Sequence, residues 1–420
     1  MVAAKRLVNH RKDKRMPNVI PGILSCLKRF GIHMSINSKL LLELIKYFAA
    51  GLFVLLSGKK GEKWIIAERG VDARDNSFHL FRYIRENHPE IDITYVIDGN
   101  SPDADKVKAL GKIVQYRSLH HYLLFCRARV KISTHIMGFS PDSGIYQRFD
   151  RWGLVHGFKV FLQHGIIKDD IKGIHYPLIK PSLFVCGAQL EFEFIRDTYE
   201  FPEGIVHYLG LPRFDALMNH CPQKMILVMP TWRMWLGNYS NSLEFKMTEY
   251  YKRYESLLNN PEMARMAKEY GYTIIFYPHF EFQKYIDAFC VDVPGIIIAR
   301  FKDYDVQSLL KDAALLITDY SSIFFDFAYM GKPTVYYQFD YQEFRSHHYE
   351  TGYFDYVRDA FGPVLRQEDE VVAEVKRNLE NNCKMEPEYE RRVRRFFPLK
   401  DRDNSKRVYQ AILKLEEKTI

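Results

Sequence analysis

The six cysteines among 420 residues, Cys26, Cys126, Cys186, Cys221, Cys290 and Cys383, form no close pair. Thiolate metal sites and redox motifs need two cysteines a few residues apart, so both are excluded, and the spacing suits a reducing compartment. No HExxH, GxSxG or Walker phosphate loop occurs, which argues against zinc hydrolases, serine hydrolases and the common kinases. No basic segment is followed promptly by a short apolar run and a small-residue cleavage site. A secretory leader is therefore not expected, and the protein should stay inside the cell. An uninterrupted apolar run of the roughly 20 residues that a membrane span needs is also missing, because Glu43 and Lys46 break the best stretch, Leu40 to Leu56. Internal repeats and low-complexity blocks are absent as well.

What the sequence does contain is material for large cores. Hydrophobic residues make up 47% and charged residues 27%, with 28 Tyr and 30 Phe, a composition that excludes a mainly disordered chain. The length exceeds the roughly 250–300 residues at which one core stops growing, which favours two domains. The formal charge of +8 favours anionic partners. Part of it sits in residues 1–15, where Lys5, Arg6, Arg11, Lys12, Lys14 and Arg15 face the single acid Asp13. With Leu40 to Leu56 behind it and Lys59, Lys60 and Lys63 beyond, this arm suits peripheral attachment to an anionic leaflet. A solvated tail ahead of an ordinary core helix is the competing reading.

From Lys63 onward, short apolar runs alternate with amphipathic stretches, the pattern of parallel sheets flanked by helices. Trp64–Ala67, Ile93–Val96, Val130–Ser133, Val160–Gln163 and Leu183–Cys186 read as strands of a first domain. Ile226–Met229, Thr273–Tyr277, Ile296–Ala299, Leu315–Thr318 and Thr334–Tyr337 read as strands of a second. The polar bridge His220 to Lys224 separates them, giving an arm and helix at 1–60, a first domain at 61–219 and a second at 220–420. The fold class is α/β, with two doubly wound domains whose strand ends face one cleft, and chemistry is expected just after strands.

The strongest local signal is LLITDYSSIFFDFAYMGKPTVYYQFD from Leu315 to Asp340. A buried strand ends at Thr318, and Asp319, Tyr320, Ser321 and Ser322 form a turn into a helix that stops at Gly331. Free N–H groups and two hydroxyls at such a turn suit phosphate oxygens. Asp326 shares a helix face with Ser322 and leans toward the same mouth. His164, after a strand and before Gly165, has the position of a general base. His279 and Arg233 follow strands of the second domain, and Arg213 lies in the hinge; these groups suit a diphosphate. Helix capping and ordinary ion pairing are the structural alternatives for each. Asp169 and Asp170 are at most a weak hint of metal, and no metal or cofactor is expected.

Taken in order, these segments resemble the CDP-glycerol glycerophosphotransferase family of teichoic acid primases and polymerases. The resemblance runs from Lys63 to Pro363 and rests on EKWIIAERGVDARDNSFHLFRYI at 62–84, LQHGIIKDD at 162–170 and GLPRFD at 210–215. It continues through MPTWR at 229–233, FYPH at 276–279, the DYSS segment, and Gly352, Tyr353, Phe354 and Asp355. It implies a GT-B fold with the donor nucleotide in the second domain. The implied reaction moves an alditol phosphate from CDP-glycerol or CDP-ribitol to a hydroxyl of a polyprenyl-diphosphate-linked or polysaccharide acceptor. His164 would be the base, and His279, Arg233, Ser321 and Ser322 would neutralise the diphosphate. Work at the cytoplasmic face of the membrane is implied, and nucleic acid is not an expected partner. A GT-B glycosyltransferase using a UDP- or GDP-sugar and a non-catalytic envelope scaffold are the alternative functions.

Overall fold

A computed structural model describes residues 38–57, 63–218, 220–236, 242–291, 293–347 and 350–417. The basic stretch at 1–15 lies outside the described residues. Seven strands build the first sheet: β1 (Trp64–Ala67), β2 (Ile93–Ile97), β3 (Lys112–Gln115), β4 (Val130–Ser133), β5 (Phe158–Phe161), β6 (Leu183–Cys186) and β7 (Val206–Tyr208). Six build the second: β8 (Met225–Val228), β9 (Thr273–Phe276), β10 (Ile296–Ile298), β11 (Leu315–Thr318), β12 (Thr334–Tyr337) and β13 (Val364–Leu365).

The strand orders are β3-β2-β1-β4-β5-β6-β7 and β10-β9-β8-β11-β12-β13. Every pairing is parallel. Each sheet therefore reverses its winding once, between β1 and β4 and between β8 and β11, and ligands of open α/β sheets bind outside the strand ends at such points. The apolar runs are continuous because both sheet faces are covered. Trp64 and Ile66 of β1 enter one core layer, while Ile65 and Ala67 enter the other.

Two sequence expectations need correction. The helix expected over Leu243–Leu258 is two helices, Ser242–Lys246 and Glu249–Leu258, because the Thr248 hydroxyl accepts the Tyr251 amide at 3.2 Å and starts a new one. The stretch 220–420 is not one body: its last helix, Asn404–Glu417, returns to the first sheet. There Val408, Tyr409 and Ile412 join the core around Trp64, and Asp215 caps the helix by accepting the amides of Asn404 and Ser405 at 3.0 and 2.8 Å. Gly210 makes this return possible, since a Cβ there would overlap the Asn404 amide oxygen. Lys332, just beyond the helix Ile323–Tyr329, caps the helix Val306–Asp312 from outside. Its ammonium donates to the carbonyls of Leu310, Lys311 and Ala313.

The apolar stretch near the start forms the helix Ser38–Ser57. Leu44, Tyr47 and Ala50 bury one face against the helix Leu119–Arg127. Glu43 accepts the Tyr122 hydroxyl, and Lys46 pairs with Glu43 at 3.2 Å. The opposite face leaves Leu42, Phe48, Leu52, Phe53, Leu55 and Leu56 exposed.

Candidate functional site

On the first domain the strand expected to run to Gln163 stops at Phe161. Gln163 has a left-handed backbone, φ 60°, which costs a non-glycine residue about 1 kcal/mol and ends extended pairing. Two bonds hold it there. Its side-chain amide donates to the Val185 carbonyl at 2.6 Å, and its own carbonyl accepts Asn76 Nδ2 at 2.7 Å. Beyond the turn, Glu191 fixes the chain by accepting the amides of Ile167 and Gly187 at 2.6 and 2.7 Å. Burial pushes the Glu191 carboxyl up to about 7 against those amides. The strained turn throws His164 out into the cleft, where it is exposed. The surrounding walls lower its pKa by desolvation, Asp75 opposes that shift, and Arg213 adds to it.

One neighbour escaped the sequence reading. His135 follows β4 as His164 follows β5, and the two imidazoles lie parallel, with centroids 5.1 Å apart and planes at 8°. The same strand-end signal that marked His164 would have found it.

On the second domain Asp319, fully buried, acts as the hub of the turn. Its carboxylate accepts the amides of Thr231 and Tyr320 at 2.8 and 2.6 Å and the Tyr254 hydroxyl at 3.1 Å. Ser321 and Ser322 are half-buried beside it. The Ser322 hydroxyl makes no capping bond to the helix Ile323–Tyr329 that it precedes. His279 follows β9, stacks on Trp232 at 5.9 Å, and accepts the Glu281 amide on Nδ1 at 3.3 Å. That bond places the ring proton of neutral His279 on Nε2. Burial lowers its pKa to about 4, with Asp319 opposing, so near neutral pH it is a donor without charge.

The two walls meet. A Cβ added to Gly165 would stand 3.0 Å from Ser322 Oγ, so the turn after β5 and the turn after β11 face each other directly. Gly352 closes the same seam, packed against the backbone of Lys168 and Asp169. The structure thus brings the His164 turn and the Ser321–Ser322 turn to one seam, while His279 follows β9, two strands from β11 in the same sheet.

Arg213, Asp326, Arg233 and Asp319 are not brought to that cleft as open groups. Arg233 is 0% exposed. It holds Asp340 through two bonds at 2.7 and 3.0 Å and Asp319 at 2.8 Å, with Thr231 O also at 2.8 Å. The rings of Tyr250, Tyr320 and Phe344 cover its guanidinium at 5.0–5.2 Å. An arginine so engaged has no fork left for a diphosphate, and it sets the turn from beneath. Arg213 grips Asp326 with two bonds at 3.1 and 2.8 Å, Asp75 at 2.7 Å and the His164 carbonyl at 2.6 Å. It therefore ties the helix after the serine turn to both the β1 loop and the base turn. Burial pushes the Asp326 carboxyl above its ordinary range, and Arg213 opposes that push.

The adjacent acids are likewise occupied. Asp169 pairs with Lys168 and with Arg345, the latter at 2.7 Å, while Asp170 pairs with Lys172 and His175. Among the described residues no group of three or more His, Cys, Asp or Glu side chains gathers to hold a metal ion. Chemically, the seam offers an exposed imidazole of lowered pKa opposite two hydroxyls. That set suits deprotonation of a hydroxyl beside a polyoxygen anion.

The chain is 33% identical over 373 residues to the minor teichoic acid biosynthesis protein GgaB of Bacillus subtilis (strain 168), a match covering 85% of this chain and 40% of GgaB. It is 27% identical over 376 residues to the teichoic acid poly(glycerol phosphate) polymerase of the same strain, covering 80% of this chain and 46% of that protein. The chain thus spans less than half the length of these two relatives. Its fold matches the wall teichoic acid polymerase TagF with a TM-score of 0.65 at 16% identity, covering 96% of this chain and all of the other. The MnaA–UDP structure from S. aureus matches with a TM-score of 0.54 at 12% identity, covering 84% of this chain and 97% of the other. The model of one family spans residues 52–414, both sheets and the cleft between them, and the chain belongs to that family: CDP-glycerol:poly(glycerophosphate) glycerophosphotransferase.

Proposed function

We propose that this chain transfers glycerol phosphate, or a related alditol phosphate, from a CDP-alditol to a hydroxyl of a lipid-linked or polysaccharide acceptor, releasing CMP. Family membership supports the donor class, and TagF has been soaked with CDPG as a histidine-to-asparagine variant. The observation that carries the reading is the meeting of the His164 turn with the Ser321–Ser322 turn across one seam. A base on one wall and phosphate donors on the other are what a hydroxyl attacking a diphosphate requires.

In this mechanism the acceptor hydroxyl gives its proton to His164 as its oxygen bonds to the phosphorus bearing the alditol. The anhydride P–O bond breaks, and CMP leaves with the electron pair. The Nε2–H of His279 and the hydroxyls of Ser321 and Ser322 donate to the diphosphate oxygens. Arg213 and Arg233 act from behind, holding the two turns in register. The test is CMP release from CDP-glycerol and CDP-ribitol, with UDP- and GDP-sugars offered in parallel and a crude membrane fraction as acceptor. Release of UDP or GDP without CMP would replace this donor assignment with a glycosyltransferase.

The site of action in this proposal is the cytoplasmic face of the cell membrane, with the exposed apolar face of the helix Ser38–Ser57 lying in the interface. Its inner face is packed, so deleting the helix would strip the first domain's core. Substituting Leu52, Phe53, Leu55 and Leu56 by Ser leaves that packing intact and should move the protein from the membrane to the soluble fraction. Unchanged sedimentation with membranes would remove the helix from this role.

A further inference from the structure

His135 has no part in the mechanism above, yet it occupies the reversal point of the first sheet. It lies two residues past Ser133 at the end of β4, and Ser133 pairs with Phe161 of β5, whose own extension carries His164. Its imidazole is stacked on that of His164 with nearly parallel planes. Among the described residues, its buried Nδ1 has no hydrogen-bond partner. Buried polar atoms in native folds are nearly always paired, and one left open beside a reactive group points to a ligand or a fixed protonation state.

The unpaired Nδ1 decides the tautomer. A proton there would be a buried donor without an acceptor, which is costlier than an unused lone pair. Charging the ring would put a proton on both nitrogens and incur the same cost. The proton of neutral His135 therefore belongs on Nε2. Burial lowers its pKa to about 4, and the His164 ring, Asp75, Arg69 and Asp72 are the other charged or titratable groups acting on it. A ring that stays neutral and cannot readily accept a second proton is a poor base, but it is a fixed hydrogen-bond donor.

Building on the transfer reading, we propose that His135 is an acceptor-binding residue whose Nε2–H donates to the oxygen next to the hydroxyl that His164 deprotonates. Two parallel imidazoles with centroids 5.1 Å apart suit a polyol end with neighbouring oxygens, one for each ring. The ligand class is thus a vicinal diol terminus, such as the glycerol end of a glycerol phosphate oligomer, rather than an isolated alcohol.

The test compares the full chain with His135→Phe, which keeps the stacked ring without the donor, and His135→Gln, which keeps an N–H donor. Two synthetic glycerol phosphate oligomers serve as acceptors, one ending in a vicinal diol and one lacking the neighbouring hydroxyl. Loss of one hydrogen bond predicts that His135→Phe raises KM for the diol acceptor about tenfold, with KM for CDP-glycerol changed less than about twofold. On the deoxy acceptor wild type and His135→Phe should agree within about twofold, and His135→Gln should recover most of the loss on the diol. Equal kinetics of wild type and His135→Phe on the diol acceptor would overturn the proposal, as would an equal rise in donor KM. Histidine ring NMR with the diol oligomer alone decides the point independently of turnover. A signal absent in His135→Phe must move on adding oligomer, and a motionless His135 signal refutes the assignment even where CMP release is intact. Absence of CMP release from wild type would instead refute the transfer reading, with the ring titration still deciding His135.

Discussion

Arg213 and Arg233 look alike in composition: each is a buried guanidinium between two carboxylates, in a segment that follows a strand. They do different work. Arg233 closes on Asp319 and Asp340, both in the second domain, beneath a roof of aromatic rings. Arg213 reaches Asp75 in the first domain and Asp326 in the second, and it also holds the carbonyl of His164. One is an internal brace of the serine turn. The other is a strut between walls, so its loss should disturb alignment as much as stability. The difference teaches that a strand-end arginine need not face the ligand; what matters is whether carboxylates elsewhere in the chain already occupy it.

Arg233→Ala is the harshest way to probe the contrast. It leaves Asp319 and Asp340 without their partner in a dry site, and breaking a buried pair costs about 3–5 kcal/mol. Urea unfolding should show a loss of that size, with turnover vanishing only because the second domain no longer holds its shape. Arg213→Ala should cost somewhat less, about 3 kcal/mol, because Asp75 can turn to water. Its distinguishing mark is kinetic: at a temperature where the variant is fully folded, kcat should still fall at least about tenfold through misplacement of His164. If Arg213→Ala loses stability but keeps kcat, the strut is only a brace and the contrast collapses.

Gentler changes sharpen it from the open side. Ser321→Ala and Ser322→Ala each remove one hydroxyl at the cleft, so each should weaken donor binding by about 1 kcal/mol and leave the unfolding midpoint unchanged. A midpoint shift comparable to that of Arg233→Ala would place the serines among the braces. The smallest effect is in the pH profile. His164 must be unprotonated to act as the base, and its pKa lies below the ordinary histidine value, chiefly through desolvation. Activity is therefore lost as pH falls through that lowered value, and the acid limb of kcat/KM should lie below about 6.5. An acid limb above the ordinary histidine value would contradict the lowered pKa.

Much of the architecture was legible because buried parallel strands write themselves as apolar runs: ten expected strands appear, with ends shifted by a few residues. The three edge strands missed were illegible for a physical reason. In β3 only Val114 is buried, in β7 only Val206, and β13 is two half-buried residues, so none makes a run. The return of the last helix was hidden because its cap, Asp215, lies 189 residues before Asn404. The placement of side chains divides in the same way. That His164, His279 and the serines follow strands was readable, because it is a local property. The burial of Arg233 and Arg213 depends on Asp340 and Asp326, 107 and 113 residues away, which no local pattern reveals. His135 was readable by the same local rule as His164 and was passed over.

In the proposed mechanism His164 on one wall serves a diphosphate held on the other. This is tested most directly by single-turnover CMP release from CDP-glycerol in the presence of acceptor, comparing wild type with His164→Ala at matched folded fraction. The expected result is release by wild type and a fall of about 10²–10⁴-fold in the variant, with CDP-glycerol affinity little changed. Near-native release by His164→Ala would contradict it.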